Sequence, residues 1–193
     1  MQAANQTLIS TLEDLLNASR IERGKMEFTF RPTDLQEITD ALVKQFGPIA
    51  QMKNLKLNYR APKIKLPQIT ADGEKIMQVV NNLIDNAMKY THRGSVNVSL
   101  QKEDGSIVWR VKDTGIGIKP EELKKIFEKF GRGSRSIHEV GGLGLGLYVA
   151  KVVVDQHKGR LWVESEGEGK GSMFAVSLPM VNNLEPTKTI GLN

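Results

Sequence analysis

The chain has 193 residues and a net charge of +5, and its hydrophobic (39%) and charged (25%) fractions exclude disordered and fibrous proteins. It has no cysteine, which excludes disulfides and thiolate metal sites. It also has no long apolar run and no signal-peptide pattern in residues 1–10, so we predict a soluble, cytoplasmic chain without membrane contact. The basic residues form no dense run and only 6% of residues are aromatic, which argues against nucleic-acid binding.

The first predicted element is an amphipathic helix over residues 5–23, where apolar residues recur at spacings of three and four until Gly24 ends the pattern. The heptad-like spacing fits two arrangements equally well. In one, the helix packs on its own domain; in the other, it pairs with another helix or chain.

The later elements alternate between helices and hairpins. Asp34 and Asp72 are predicted N-caps, Asp104-Gly105 is a hairpin turn, and Gly47-Pro48 allows a break that would end the second helix near residue 45 instead of 52. Residues 61–69 predict a connector and residues 181–193 an unstructured tail. Helices are predicted at 34–52, 72–90, 120–126 and 145–156, and strands at 26–30, 55–60, 96–100, 107–111, 160–165 and 173–178.

This order of elements predicts an α+β fold. Hairpins interleaved with helices favour a two-layer α/β sandwich, in which one mixed, mostly antiparallel sheet is covered by helices on one face. The N-terminal helix is additional to these two layers.

Glycine is concentrated in the second half of the chain, because 12 of the 18 glycines lie between Gly115 and Gly171. The densest segments are Asp113-Thr-Gly-Ile-Gly-Ile118 and Gly141-Gly-Leu-Gly-Leu-Gly-Leu147, and the second leads into a predicted helix. Glycine permits close backbone approach, and a helix N-terminus offers unpaired N–H groups to phosphate. Each segment alone is more typical of an ordinary turn.

Asn82 and Asn86 lie four residues apart on one face of the helix predicted at 72–90. Two amide oxygens close to phosphates can hold a hard cation such as Mg²⁺. An isolated pair of asparagines carries little information, so it is the combination with the two glycine-rich segments that predicts a nucleotide site.

Over residues 8–179 the chain resembles the ATP-binding catalytic domain of sensor histidine kinases, in the Bergerat-fold (GHKL) superfamily. Four motifs carry the resemblance: Asn82-Leu-Ile-Asp-Asn-Ala-Met-Lys-Tyr-Thr91 (N box), Asp113-Thr-Gly-Ile-Gly117 (G1), Phe127-Glu-Lys-Phe130 (F box) and Gly142-Leu-Gly-Leu-Gly-Leu147 (G2). The implied fold is the Bergerat ATP-binding sandwich.

The resemblance implies a site for ATP and Mg²⁺. Asp113 would accept a hydrogen bond from the adenine 6-amino group, and Asn86 would be the principal Mg²⁺ ligand, assisted by Asn82. Lys89 would reach phosphate or ribose, and Tyr90 would lie against the adenine. The other implied nucleotide contacts are Gly115, Gly117, Ile118, Phe130, Gly142, Leu143, Gly144, Leu145, Gly146 and Leu147.

Residues 131–140 are polar and predict a mobile ATP lid. Lys129 and Arg132 match basic positions that approach the γ-phosphate or a partner helix in the family, and Arg135 is a further candidate. The candidate catalytic residues are therefore Asn82, Lys89, Lys129 and Arg132. Gly131 departs from the family pattern, which often has an aromatic residue there.

The position of Asn82 discriminates between two chemistries. Hydrolysing members of the superfamily place a glutamate there as general base, and an amide cannot take a proton from water. The resemblance therefore implies phosphoryl transfer to a protein histidine. The alternatives are a GHKL-type ATPase and a non-catalytic nucleotide-binding scaffold.

None of His92, His138 and His157 resembles the phosphoacceptor of the family. The predicted domains are residues 1–25, similar to the second helix of the phosphotransfer hairpin, the ATP-binding domain at 26–180, and a flexible tail at 181–193. The implied partners are ATP and ADP, the acceptor helix of a parent kinase, and a response-regulator receiver domain. The fragment is expected to be monomeric, and its parent a homodimer that can be anchored in the inner membrane.

Overall fold

The computed structural model describes residues 2–131, 143–180 and 187–190, and within residues 2–11 and 187–190 it describes the backbone alone. Its helices are α1 (Gln2–Glu22), α2 (Leu35–Met52), α3 (Gly73–Tyr90) and α4 (Gly146–Gln156), with one 3-10 turn at Lys125–Phe127. Its strands are β1 (Met26–Thr29), β2 (Arg31–Thr33), β3 (Leu55–Arg60), β4 (Ile69–Ala71), β5 (Gly94–Glu103), β6 (Ser106–Asp113), β7 (Arg160–Glu164), β8 (Met173–Pro179) and β9 (Thr187–Ile190). No helix in these ranges is long and apolar enough to cross a membrane.

A five-stranded sheet in the order β3-β5-β6-β8-β7 forms one layer. The β3–β5 pair is parallel and the other three pairs are antiparallel, so the predicted mixed, mostly antiparallel sheet is confirmed. Between β5 and β6, Asp104 (φ 42°) and Gly105 (φ 77°) both adopt positive φ. This backbone matches the twist of the two strands, which explains the hairpin predicted there.

The sheet has one apolar and one polar face, because successive side chains on a strand point to opposite sides. Across the centre, Leu100 pairs with Trp109 and Trp109 with Val176, and all three are buried. On the other face, Arg110 donates two hydrogen bonds to the Glu103 carboxylate, at 2.6 and 2.7 Å. The core therefore lies between the sheet and the helices.

Helices α2, α3 and α4 form the second layer. Asp34 and Asp72 cap α2 and α3 with their carboxylates, as predicted from their positions. The break allowed at Pro48 does not occur: α2 continues to Met52, and the side chains of Phe46 and Ala50 on either side of the proline are buried.

Helix α1 ends at Glu22, two residues before Gly24, whose φ of 61° suits a glycine, and the helix packs against α4. Ala18 and Ile21 are buried in the core, whereas Leu12, Leu15 and Leu16 are about half exposed. Of the two arrangements open from the sequence, the structure shows the helix resting on its own domain.

Two small antiparallel sheets, β1–β9 and β2–β4, were not predicted. The prediction of an unstructured tail is wrong for Thr187–Ile190, because this β-branched segment pairs with β1 over four residues. The helix predicted at 120–126 is also wrong. This region forms turns closed by bonds such as Lys125 N–H to the Glu122 carbonyl, 2.9 Å, before the single 3-10 turn.

Candidate functional site

The site begins at the end of β6, where the carboxylate of Asp113 is almost completely buried. Its Oδ1 accepts hydrogen bonds from the backbone N–H of Gly115 (2.7 Å) and of Ser172 (3.3 Å), and its Oδ2 accepts one from the Ser172 hydroxyl (2.5 Å). Burial raises the pKa of Asp113, and these hydrogen bonds oppose the rise. The arrangement fixes a carboxylate whose remaining lone pairs can accept from a ligand donor.

The glycines after Asp113 allow the G1 segment, residues 113–117, to press against two neighbouring backbones. A Cβ on Gly115 would lie 2.2 Å from the carbonyl oxygen of Tyr90, and a Cβ on Gly117 would lie 2.0 Å from that of Gly167. The N–H of Ile116 donates to the same Tyr90 carbonyl at 3.1 Å. G1 is therefore held between the end of α3 and the loop that joins β7 to β8.

That loop, residues 165–172, supplies contacts that sequence reasoning missed. The Ser165 hydroxyl accepts from the Ile118 N–H at 3.0 Å and donates to the Gly171 carbonyl at 2.7 Å. Ser172 orients Asp113, as described above. The signal in the sequence was a pair of serines flanking a segment with three glycines, but pairing them with residues 113–118 requires the fold.

The N-terminus of α4 packs against α3. Its N-cap residue is Leu145, which makes no side-chain capping bond, and the first turn holds no acidic residue. The unpaired N–H groups of such a helix start attract anions. A Cβ on Gly146 would lie 2.8 Å from Oδ1 of Asn82, so the asparagine side chain lies directly against this helix start.

Asn82 and Asn86 lie together on α3, with Nδ2 of Asn86 3.4 Å from Oδ1 of Asn82. Nδ2 of Asn82 is buried, and within the described part of the chain it has no hydrogen-bond partner. A buried amide left unpaired is costly unless a ligand completes it. Two amide groups beside an uncapped helix start fit Mg²⁺ held together with phosphate, since Mg²⁺ takes few protein oxygens and shares the rest with phosphate.

Residues 71–182 match the model of the family described as histidine kinase-, DNA gyrase B- and HSP90-like ATPases, which is more than half of the chain. The chain belongs to this family. The predicted α+β fold class is confirmed, and so is the prediction of an ATP-binding domain of this superfamily.

Sensor kinases are also found among the sequence relatives of this domain. The autoinducer 2 sensor kinase/phosphatase LuxQ of Vibrio cholerae is 35% identical over 183 residues, which are 92% of this chain and 21% of LuxQ. The chain thus spans about a fifth of that relative's length.

Two solved histidine kinases are similar in structure. Full-length ShkA in complex with AMPPNP has a TM-score of 0.79 at 27% identity, over 93% of this chain and 37% of ShkA. ThkA in complex with the response regulator TrrA has a TM-score of 0.73 at 21% identity, over 93% of this chain and 49% of ThkA. The second likeness shows the fold alone.

The N-box residues Lys89 and Tyr90 lie at the end of α3. Nζ of Lys89 is 2.5 Å from the Asp85 carboxylate on the same helix. The positive charge of Lys89 also acts on Asp14 of α1, where it opposes the larger effect of burial, which raises the Asp14 pKa. Lys89 is therefore already ion-paired with Asp85. Tyr90 contributes its carbonyl oxygen to the G1 contact.

The F-box residues Lys129 and Phe130 lie on the surface beside α1. The Lys129 ammonium is ion-paired with Glu22 and lies 5.0 Å from the ring centroid of Phe130. Phe130 is exposed and has a φ of 61°. A Cβ on Gly131 would lie 2.0 Å from the Lys125 carbonyl, so this turn accepts only glycine where the family often has an aromatic residue.

The predicted apolar contacts fall into different environments. Leu145 is fully buried in the core, so only its backbone can approach a ligand, whereas Leu143 is exposed. Ile118 and Leu147 are partly buried against the core, and Gly144 has a φ of 69°. Residues 132–140 of the predicted lid, which include Arg132 and Arg135, lie outside the described residues, as does Gly142.

Proposed function

We propose that this chain binds Mg·ATP and transfers its γ-phosphoryl group to a histidine on a helical hairpin outside the chain. The observation that best supports this proposal is the position of the Asn82 amide, which lies against the start of α4. A hydrolase of this superfamily would need a carboxylate at this position. An amide can contact phosphate or metal, but it cannot act as a general base toward water.

At the base end, Asp113 selects adenine. Its oxygens accept from Gly115 and Ser172 and have lone pairs left for one more donor. The 6-amino group of adenine is such a donor. Guanine presents a carbonyl oxygen at this position and would face the carboxylate with repulsion, so GTP is expected to bind more weakly.

At the phosphate end, backbone N–H groups of Gly144, Leu145 and Gly146 would face the triphosphate, and the positive end of the α4 dipole would favour it. Asn86, with Asn82, would hold Mg²⁺, which when bound would neutralise charge on the phosphates. Lys89 and Lys129 would exchange their carboxylate partners for phosphate oxygens. Together these groups orient the phosphates, which is most of what phosphoryl transfer requires of a protein.

The N-terminal helix supports the assignment to a phosphotransfer hairpin. Ala18 and Ile21 bury one side of α1, while Leu12, Leu15 and Leu16 leave an apolar side half exposed. A first hairpin helix would cover that side. We therefore propose residues 1–25 as the second hairpin helix, a monomer for this fragment, a homodimer for the parent and a cytoplasmic location for this domain.

The onward acceptor is proposed to be an aspartate of a response-regulator receiver domain. The support is the kinship with sensor kinases and the solved complex of ThkA with its response regulator, which concerns that protein. Our test supplies radiolabelled Mg·ATP, the hairpin domain of the parent kinase and this chain as separate proteins. We expect label on the hairpin that is stable to alkali and absent from a hairpin with histidine replaced by glutamine.

Asn86→Ala tests the metal contact in the same assay. It should abolish the gain in ATP affinity that Mg²⁺ gives the wild type and reduce transfer by roughly tenfold or more, because one ligand side chain is lost. Ser99→Ala on the polar face of the sheet is the matched control. Steady phosphate release without label on the hairpin would contradict the kinase proposal, and binding without either reaction would favour a scaffold.

A further inference from the structure

The Ser165 hydroxyl lies between two parts of the candidate adenine pocket. It accepts a hydrogen bond from the N–H of Ile118, at the end of the G1 region, and donates one to the carbonyl oxygen of Gly171. Gly171 immediately precedes Ser172, which binds both oxygens of Asp113. The Ser165 hydroxyl therefore connects the backbone at Ile118 to the segment that contains Ser172, the residue that orients the Asp113 carboxylate.

Two backbone hydrogen bonds join the same two segments, but both bind G1 residues that precede Ile118. The N–H of Gly169 donates to the Ile116 carbonyl at 2.7 Å, and the N–H of Gly171 donates to the Gly115 carbonyl at 3.1 Å. The N–H of Gly167 also donates to Ser165 Oγ, at 3.3 Å. Because Ser165 is the side chain that holds Ile118, its loss frees this end of G1 while the backbone bonds hold the other.

The geometry suits a hydroxyl and no other common group. Oγ must act as acceptor toward two N–H groups and as donor toward a carbonyl, which serine and threonine can do and alanine cannot. A thiol is a weak donor and a weak acceptor. Ser165 is only partly buried, which leaves room for the methyl group of threonine.

We propose that Ser165 is a positioning residue for the adenine pocket, which sets the affinity for ATP by holding G1 against the β7–β8 loop. This inference rests on the proposed nucleotide site. Ser165 acts through Ile118 and through Gly171 and Ser172, and it has no part in the transfer step itself. Its replacement therefore raises KM for ATP and leaves kcat at saturating ATP unchanged.

The experiment titrates the full chain calorimetrically with AMPPNP and with ADP, for wild type, Ser165→Ala, Ser165→Thr and Ser165→Cys. Ser99→Ala is the control for serine loss, and Asp113→Asn reports on the nucleotide site. We expect Ser165→Ala and Ser165→Cys to weaken both ligands roughly five- to tenfold, as the loss of one to two hydrogen bonds would. Ser165→Thr should stay within about twofold of wild type, because its hydroxyl keeps those hydrogen bonds.

Two further readouts separate positioning from a general effect on folding. Amide hydrogen exchange should accelerate at Ile118 and Gly171 in Ser165→Ala but stay unchanged in the β5–β6 hairpin. In the transfer assay, KM for ATP should rise with kcat retained. Failure of both the Ala and Cys variants to fold would show a structural role and overturn the inference.

The outcomes also separate this inference from the proposed function. If wild type binds nucleotide, Asp113→Asn weakens it and Ser165→Ala binds as tightly as Ser99→Ala, only the role of Ser165 is overturned. If wild type does not bind millimolar AMPPNP, the nucleotide site fails and the role of Ser165 fails with it.

Discussion

The base end and the phosphate end of the candidate site differ in how many of their polar groups are hydrogen-bonded within the protein. At the base end, Asp113 receives three hydrogen bonds from Gly115 and Ser172, and G1 is bonded on both sides. At the phosphate end, the N-cap residue of α4 makes no side-chain capping bond, and Asn82 has a buried Nδ2 with no hydrogen-bond partner among the described residues. One end is complete before a ligand arrives, and the other needs a ligand to complete it.

This contrast predicts different contributions to binding. A prearranged acceptor loses little entropy when adenine binds, so it contributes selectivity. Unpaired N–H groups and an unpaired amide have more to gain from an anion, so the phosphate end should respond strongly to the number of phosphates and to Mg²⁺. Substitutions at one end should therefore leave the response of the other intact.

The largest effect is expected from Asp113→Asn. The amide oxygen can still accept from Gly115 and Ser172, but its NH₂ group would meet the 6-amino group of adenine as donor against donor. We expect the affinity for AMPPNP and for adenosine to fall by roughly a hundredfold without loss of folding. Calorimetric titration measures this, with Asp104→Asn in the β5–β6 turn as control. An affinity within threefold of wild type would contradict a base-end role for Asp113.

A smaller effect, confined to the phosphate end, is expected from Gly146→Ala. The added Cβ would lie 2.8 Å from Oδ1 of Asn82 and would displace that flexible side chain. Affinity for AMPPNP should fall by about fivefold while affinity for adenosine stays unchanged, because roughly one hydrogen bond to phosphate is lost. Equal losses for both ligands would contradict the separation of the two ends.

Gly47→Ala is the matched control for that substitution. Gly47 is also a helical glycine, and a Cβ added to it would meet nothing within 4 Å. It should leave both affinities unchanged and stabilise α2 by about 0.5–1 kcal/mol, the usual helix preference of alanine over glycine. A thermal melt beside each titration checks both expectations.

The smallest effect lies outside both ends and gives a reference for stability. His157 is fully buried, and its ring packs edge-on against Phe28 and Phe30; its Nε2 accepts from the Asp72 N–H at 2.9 Å, and its Nδ1 donates to the Val153 carbonyl at 2.8 Å. Burial lowers its pKa from the ordinary 6.5, opposed by the bond to Val153 and the charge of Asp72.

Because the folded state disfavours protonated His157, neutral His157 contributes to the free energy of unfolding. This contribution is complete above pH 6.5 and is lost as the pH falls below that value. The unfolding midpoint should drop on the order of a few degrees between pH 7 and pH 5. His157→Gln should flatten that dependence. The raised pKa of Asp113 has the opposite effect, because it favours the folded state as the pH falls. If the His157→Gln variant keeps the wild-type pH dependence of the unfolding midpoint, His157 is not the group responsible.

Local chemistry in the sequence predicted the elements that carry the site. Asp72 is the N-cap of α3, as predicted, and the helix begins at the next residue. Asp104-Gly105 adopts the turn that its composition favours. Asn82 and Asn86 share a face because helical geometry requires it. These features depend on residues a few positions apart, which periodicity and capping rules describe.

Long-range pairings were not predictable in this way. Ser172 binds Asp113 across 59 residues and Ser165 binds Ile118 across 47, so neither serine could be assigned a role from spacing. Strand β9 pairs with a strand about 160 residues earlier. Leu145 lies within a glycine motif, yet its side chain is in the core. Successive residues at a helix start point to different sides, so a motif that binds a ligand through its backbone can also contain a core side chain.

The strand β1 has a consequence for the modularity of this domain. The family match begins at residue 71, yet Phe28 and Phe30 pack on His157, and the Thr29 N–H donates to Asp72 Oδ2 at 2.9 Å. A chimaera joined near residue 70 would therefore leave His157 uncovered and remove a hydrogen bond from the cap of the helix that carries Asn82 and Asn86. A junction at Gly24 keeps β1 with the domain, so exchanges between members of this family should be made there.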